Sequence, residues 1–133
     1  DTEWIIDKAE FEHVKRQGTS AVHRWIDKQL EGTSVTVVLI GSDTLNRPFV
    51  QYEICKSLQR GNAVIGVHIN RITDMVTKKT SLRGNVHTVI GHYDDKTPAY
   101  FDNVCDAIYD YSSQNGYSNL GQWIELAAQK HGK

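Results

Sequence analysis

Apolar positions along this chain fall into two patterns. In residues 35–40 (VTVVLI) and 63–69 (AVIGVHI) they form nearly continuous runs rich in β-branched residues. Runs that short, with no alternating wet face, predict strands buried on both sides, as in a parallel sheet covered by helices. Elsewhere they recur at helical spacing. Val22, Trp25, Ile26 and Leu30 make one stripe, with Thr19 or Ser20 as N-cap and Gly32 as the stop. Phe49, Val50, Ile54, Cys55 and Leu58 make a second, begun by Pro48 and ended by Gly61-Asn62. Leu120, Trp123, Ile124 and Ala127 make a third, with Asn119 as its predicted N-cap.

Weaker patterns fill the gaps. Trp4-Ile5-Ile6 is a short apolar patch ahead of a helical segment over 8–16, which Gly18 ends. Residues 70–84 read as a polar loop, 86–90 as a short third strand, 91–99 as a loop and 101–111 as a helix. Strands alternating with helices predict an α/β, flavodoxin-like doubly wound parallel sheet with helices on both faces. One domain over 1–133 is expected at this length. Only three convincing strands appear, where a flavodoxin-like sheet usually carries five.

Composition narrows the function classes. The chain is 39% hydrophobic and 23% charged, with net charge −1, an ordinary globular composition. No basic excess points to nucleic acid or an anionic membrane surface. No apolar run approaches the roughly 18 residues of a membrane span and no signal peptide is evident, so a cytoplasmic location is expected. Cys55 and Cys105 fall at apolar positions of predicted helices, which suggests two reduced, buried thiols.

The strongest chemical candidate is the strand–loop–helix unit at 33–58. It places Ser42, Asp43 and Thr44 just beyond the carboxyl end of a buried strand, where open α/β sheets bind ligands, and Glu53 on the helix that follows. Glu53 alone reads as well as a surface glutamate on a helix flank. Ser42, Asp43 and Thr44 read as well as ordinary turn and cap residues. The six histidines show no metal spacing, and no metal site is expected. His68 reads as a core or strand-end histidine, and His87, His92, Asp94 and Asp95 as surface loop. Asp102, Asp106 and Asp110, at i, i+4 and i+8, read as the solvated face of a helix. No G-x-S-x-G, P-loop or G-x-G-x-x-G is present.

The string GTSVTVVLIGSDTLNRPFVQYEICKSLQRGNAVIGVHIN resembles the TIR-like domain family of the bacterial Thoeris anti-phage system. So do the tail NGYSNLGQWI and the helix at 21–30, so the resemblance runs through the whole chain in order. The general TIR pattern Trp-Cys-x-x-Glu reads here Phe49-Val50-Gln51-Tyr52-Glu53, with apolar replacements at its first two positions. Family members carry a further strand and helix before the point where this chain begins. The front of the fold is therefore expected to be truncated here, and with it one wall of the pocket.

The resemblance implies cleavage of NAD⁺, as substrate rather than cofactor, at its nicotinamide–ribose bond. It implies an ADP-ribose-derived signalling nucleotide that activates a separate effector protein. Glu53 would be the catalytic carboxylate, and Ser42, Asp43, Thr44 and Phe49 would line the substrate site. Self-association is expected. A non-catalytic TIR-like interaction module is the alternative, and a phosphoacceptor receiver on the same fold ranks last, since no strand here ends in lysine.

Overall fold

The computed structural model describes residues 2–3 and 16–132. The predicted patch at 4–6 and nearly all of the predicted helix at 8–16 lie outside the described residues. A four-stranded parallel sheet has the order β1-β2-β3-β6, formed by β1 (Thr2–Glu3), β2 (Thr33–Ile40), β3 (Ala63–His68) and β6 (Ala107–Asp110). Helices α1 (Thr19–Leu30), α2 (Pro48–Gln59) and α4 (Gly116–Lys130) connect or flank these strands. The expected α/β architecture is thus observed.

The two continuous apolar runs pair in register, from Val35↔Ala63 to Ile40↔His68. Their odd-numbered residues pack with α4: Val35, Ile65 and Val67 join Trp123, Ile124, Ala127 and Ala128. Their even-numbered residues pack with α2: Val38, Ile40 and Val64 join Ile54. A strand has a side-chain period of two, so one sheet can supply both cores at once. A third cluster joins α1 to α2, with Val22, Trp25, Ile26 and Leu30 against Phe49 and Tyr52. Every residue of β3 is buried, as its sequence predicts. β2 is covered less completely, because Leu39 is 50% exposed. Among the described residues, β1 registers with Thr33 and Val35.

Several expectations are corrected. The helix read over 101–111 is one helical turn, α3 (Phe101–Val104), followed by β6. Strand pairing overrides the helical pattern: Val64 N–H donates to Asp106 Oδ2 at 2.8 Å, and Asp106 N–H donates to the Val64 carbonyl at 2.7 Å. Asp102, Asp106 and Asp110 therefore do not share a solvated helix face, and Asp110 is buried. Cys105 follows α3 in extended backbone, and both thiols are free and only half-buried.

The strand read over 86–90 is β4 (Val89–His92). It pairs antiparallel with β5 (Pro98–Tyr100) in a separate two-stranded sheet. Asn115, not Asn119, caps α4, and it takes the left-handed conformation, with φ 51°. Gly18 precedes α1 as its N-cap, with neither Thr19 nor Ser20 in that position.

Candidate functional site at the carboxyl ends of the parallel strands

The carboxyl ends of β2, β3 and β6 lie side by side, because Ile40, His68 and Asp110 are successive partners in the sheet register. Two groups of polar residues gather around this edge. The first is the sequence-predicted one, on the loop and helix after β2. The second comes from β3, β6 and the loop between them.

After Ile40 the chain turns through Gly41–Asp43 into a short 3₁₀ turn, Thr44–Asn46, before Pro48 starts α2. The turn is closed locally. Gly41 N–H donates to Thr44 Oγ1 at 2.8 Å, and Asn46 Nδ2 donates to Asp43 Oδ1 at 3.3 Å. Ser42 and Asp43 are exposed and Thr44 is half-buried. Turn chemistry thus accounts for one acceptor role of Asp43 and of Thr44. The Ser42 side chain and the Thr44 hydroxyl proton make no hydrogen bond to a described residue.

Phe49, Glu53 and Ser57 are spaced at i, i+4 and i+8 on α2 and form one stripe. Phe49 packs in the cluster with α1. Ser57 Oγ lies 2.7 Å from Thr36 Oγ1 on β2 and donates to the Glu53 carbonyl at 2.8 Å. Glu53 therefore sits between the α1 contact and the sheet, and only 4% of it is exposed. Its carboxyl makes no hydrogen bond or ion pair to a described residue. Burial without compensation disfavours the charged form and holds the Glu53 carboxyl well above the usual carboxylate range. Beside it, Tyr52 donates from its hydroxyl to Asp27 Oδ1 at 2.8 Å and stacks on His23, with centroids 3.8 Å apart. Burial and that aspartate push the phenol up to about 12.

The structure thus places Ser42, Asp43 and Thr44 on one turn at the strand end, and Phe49 and Glu53 on the helix this turn feeds. Glu53 is buried inward rather than displayed on the helix flank.

The second group escapes a pattern-based reading. His68, the last residue of β3, is 3% exposed, and Asn70, two residues beyond it, is 8% exposed. His68 Nδ1 and Asn70 Oδ1 have no partner among the described residues. Asp110 ends β6 and accepts from Arg83 Nη1 at 2.8 Å and from Ser112 and Ser113 N–H, each at 3.0 Å. The Ser113 N–H leads in holding the Asp110 carboxyl down to about 2, with Arg83 reinforcing it against burial. Burial, then the Arg83 charge, lowers the His68 imidazole, so it is neutral at pH 7. The loop carrying Arg83 lies close over β2: a Cβ on Gly84 would overlap the Gly41 carbonyl and approach Ile40 Cγ2 to 2.9 Å. The available sequence signal was position, since these residues end or follow strands of a parallel sheet.

Among the described residues, no group of three or more His, Cys, Asp or Glu side chains is arranged to hold a metal ion. No described helix is long and apolar enough to cross a membrane.

Comparison with known proteins places this geometry in context. A family model described as "Thoeris protein ThsB, TIR-like domain" matches residues 1–74, which carry β1 through β3 and the unit bearing Glu53. A protein of Bacillus cereus (strain MSX-D12) named "Putative cyclic ADP-D-ribose synthase ThsB1" is 38% identical over 119 residues, or 90% of this chain. The chain spans 53% of that relative's length. The matched segment, the parallel sheet and the similarity over nine-tenths of the chain agree: this chain belongs to the ThsB-type TIR-like domain family of the Thoeris system.

Proposed function

We propose that this domain cleaves NAD⁺ at the nicotinamide–ribose bond and converts the remainder into an ADP-ribose-derived signalling nucleotide, with Glu53 as the catalytic carboxylate. The observation that carries the reading is the Glu53 carboxyl itself, buried without a partner among the described residues on the helix after a parallel strand. A buried carboxyl with a strongly raised pKa near the ligand-binding edge of a parallel sheet is a functional-site candidate. Family membership and the printed name of the relative support the substrate class.

The chemistry asks for one anion. Nicotinamide leaves as a neutral base and takes the C1′–N electron pair, so no general acid is required. Positive charge develops on the ribose ring, and a carboxylate held beside it stabilises the oxocarbenium-like transition state. Attack at C1′ by water completes hydrolysis, and attack by a nitrogen of the same molecule's adenine closes a cyclic product. Burial alone raises the Glu53 pKa. The ribose hydroxyls would donate to it and the pyridinium would bring positive charge, and both favour the carboxylate. Substrate binding therefore shifts the Glu53 pKa back down towards the ordinary carboxylate range. Ser42, Asp43 and Thr44 would border the substrate at the strand end, and Phe49 would pack one helical turn from the carboxylate. The product would activate a separate effector, and self-association would complete the assembly in which the domain works.

Incubating the protein with NAD⁺, with and without lysate of phage-infected cells, and analysing products tests this. Glu53→Gln is expected to keep its thermal transition and lose turnover by at least 10²-fold, the scale of one electrostatic catalytic group. Turnover retained in that variant would remove Glu53 from the chemistry. The half-exposed Leu39 favours a second reading, a non-catalytic interaction module. That reading expects no product from either sample and association that survives Glu53→Gln.

A further inference from the structure

The second polar group at the strand ends has features that packing alone does not explain. His68 and Asn70 are both more than nine-tenths buried, and each holds a polar atom with no partner among the described residues. Burying such atoms unpaired is unfavourable, and most native side chains avoid it. Here two of them fall within three residues, at the carboxyl end of the central strand β3. His68 is flanked by Ile40 on one side and Asp110 on the other. Above the same edge stands Arg83, whose side chain is 56% exposed and which uses Nη1 on Asp110. Its remaining N–H groups make no hydrogen bond to a described residue.

The donors and acceptors specify a ligand. Asn70 Oδ1 requires a donor. Neutral His68 offers one donor and one acceptor nitrogen. A hydroxyl group satisfies either residue. Arg83, more exposed and facing the same strand end, suits an anion, with planar N–H pairs that match phosphate oxygens. Hydroxyls next to a phosphate describe a ribose phosphate.

We propose that His68, Asn70 and Arg83 form a nucleotide subsite at the carboxyl ends of β3 and β6, with His68 and Asn70 taking ribose hydroxyls and Arg83 the adjoining phosphate. Asp110 is a positioning residue: it holds Arg83 through the 2.8 Å ion pair and is itself fixed by Ser112 and Ser113 N–H. The subsite deepens the reading given above, because it would anchor the adenylate half of NAD⁺ while Glu53 works on the nicotinamide half. The choice of NAD⁺ as the parent ligand rests on that reading.

The test uses ADP-ribose, which lacks the scissile bond, titrated calorimetrically into the full chain. The wild type is expected to bind, and Asn70→Leu and Arg83→Ala are each expected to weaken binding at least tenfold. Asn70→Leu removes an unpaired buried carbonyl, so the ligand-free variant is expected to melt higher, by about 3 °C on the scale of one small stabilisation in a domain of this size. ADP-ribose affinity within twofold of wild type in both variants overturns the subsite. So does a wild type that binds no ADP-ribose. A lower melting temperature for Asn70→Leu also overturns it, since Asn70 would then be tied into structure, through a trapped water for instance. The two readings fail separately. Turnover with unchanged ADP-ribose affinity in the variants removes the subsite alone. ADP-ribose bound through Arg83 and Asn70, with no NAD⁺ turnover, removes the catalytic reading alone.

Discussion

At the scale of single residues, two carboxyls on this fold are driven in opposite directions. Glu53 is buried without donors, and its pKa rises. Asp110 is also buried but collects two backbone N–H donors and Arg83, and its pKa falls to about 2. Hydrogen bonds to the charged form, not burial alone, decide the sign. The consequences for stability follow by linkage. Folded Glu53 holds its proton at pH values where the unfolded chain has released it. Its contribution is therefore fully present below the ordinary glutamate pKa and is lost as pH rises towards the raised native value. Urea midpoints of the wild type are expected to fall over that window relative to Glu53→Gln, and parallel pH profiles would contradict the assignment. Asp110 runs the other way. Its contribution is present above the unfolded value of 3.8 and is lost as pH falls towards about 2, and Asp110→Asn is expected to remove that acid-side loss. Catalysis inherits the Glu53 shift. If the carboxylate is the working form, kcat/KM for NAD⁺ rises with pH through the raised pKa of the free protein. A profile with no rise on the alkaline side of the ordinary glutamate pKa would count against it.

At the scale of elements, helix α2 is the carrier of the proposed chemistry, and its placement depends on a few contacts. Ile54 is fully buried in the core shared with β2 and β3. Ile54→Ala is expected to destabilise by about 2–5 kcal/mol, through lost transfer energy and the cavity left behind, as read by denaturant unfolding. Ser57 and Thr36 tie the helix to β2 through a buried hydroxyl pair. On the neighbouring strand, a Cβ on Gly66 would lie 2.8 Å from both Ile40 Cδ1 and Phe101 Cε2. Gly66→Ala is expected to cost about 1–3 kcal/mol by overpacking. Gly84 differs, because its obstacle is the Gly41 backbone rather than a movable side chain. Gly84→Ala is expected to displace the loop bearing Arg83 and to weaken ADP-ribose binding more than it lowers the melting temperature. These elements were unevenly legible beforehand. The stripe of Val22, Trp25, Ile26 and Leu30 marked α1 within two residues of its ends, because one buried face fixed its period. Residues 101–111 misled, because Val104, Cys105 and Ile108 fit a helical stripe while Ala107–Asp110 gains more by pairing with β3. His68, Asn70, Arg83 and Asp110 were not singled out as a group, since nothing local joins residues up to 42 positions apart.

At the scale of the whole molecule, the sheet is asymmetric. On one side β3 is enclosed by β2 and β6, with helices over both faces. On the other, β1 registers with the start of β2 among the described residues, and Leu39 stands half exposed. A large exposed apolar side chain promotes association between chains. Leu39→Lys is expected to lower the associated fraction in size-exclusion chromatography with light scattering at high protein concentration. An unchanged distribution would place any association surface elsewhere.

Sequence alone determined which residues could be buried and with what period. That was enough for two adjacent parallel strands, three amphipathic helices and the α/β class, because a side-chain period of 2 or 3.6 is a local property. It also carried the family, through long strings around Glu53 and in the tail. Tertiary structure decided the rest. It converted a nominal helix into the fourth strand, because backbone hydrogen bonds to β3 are made across the fold and leave no trace in local spacing. It decided that Glu53 faces inward, because a helix shows its flank to whatever packs there. It also drew His68, Asn70, Arg83 and Asp110 to one edge, because parallel strands bring their carboxyl ends together however far apart they lie in the chain.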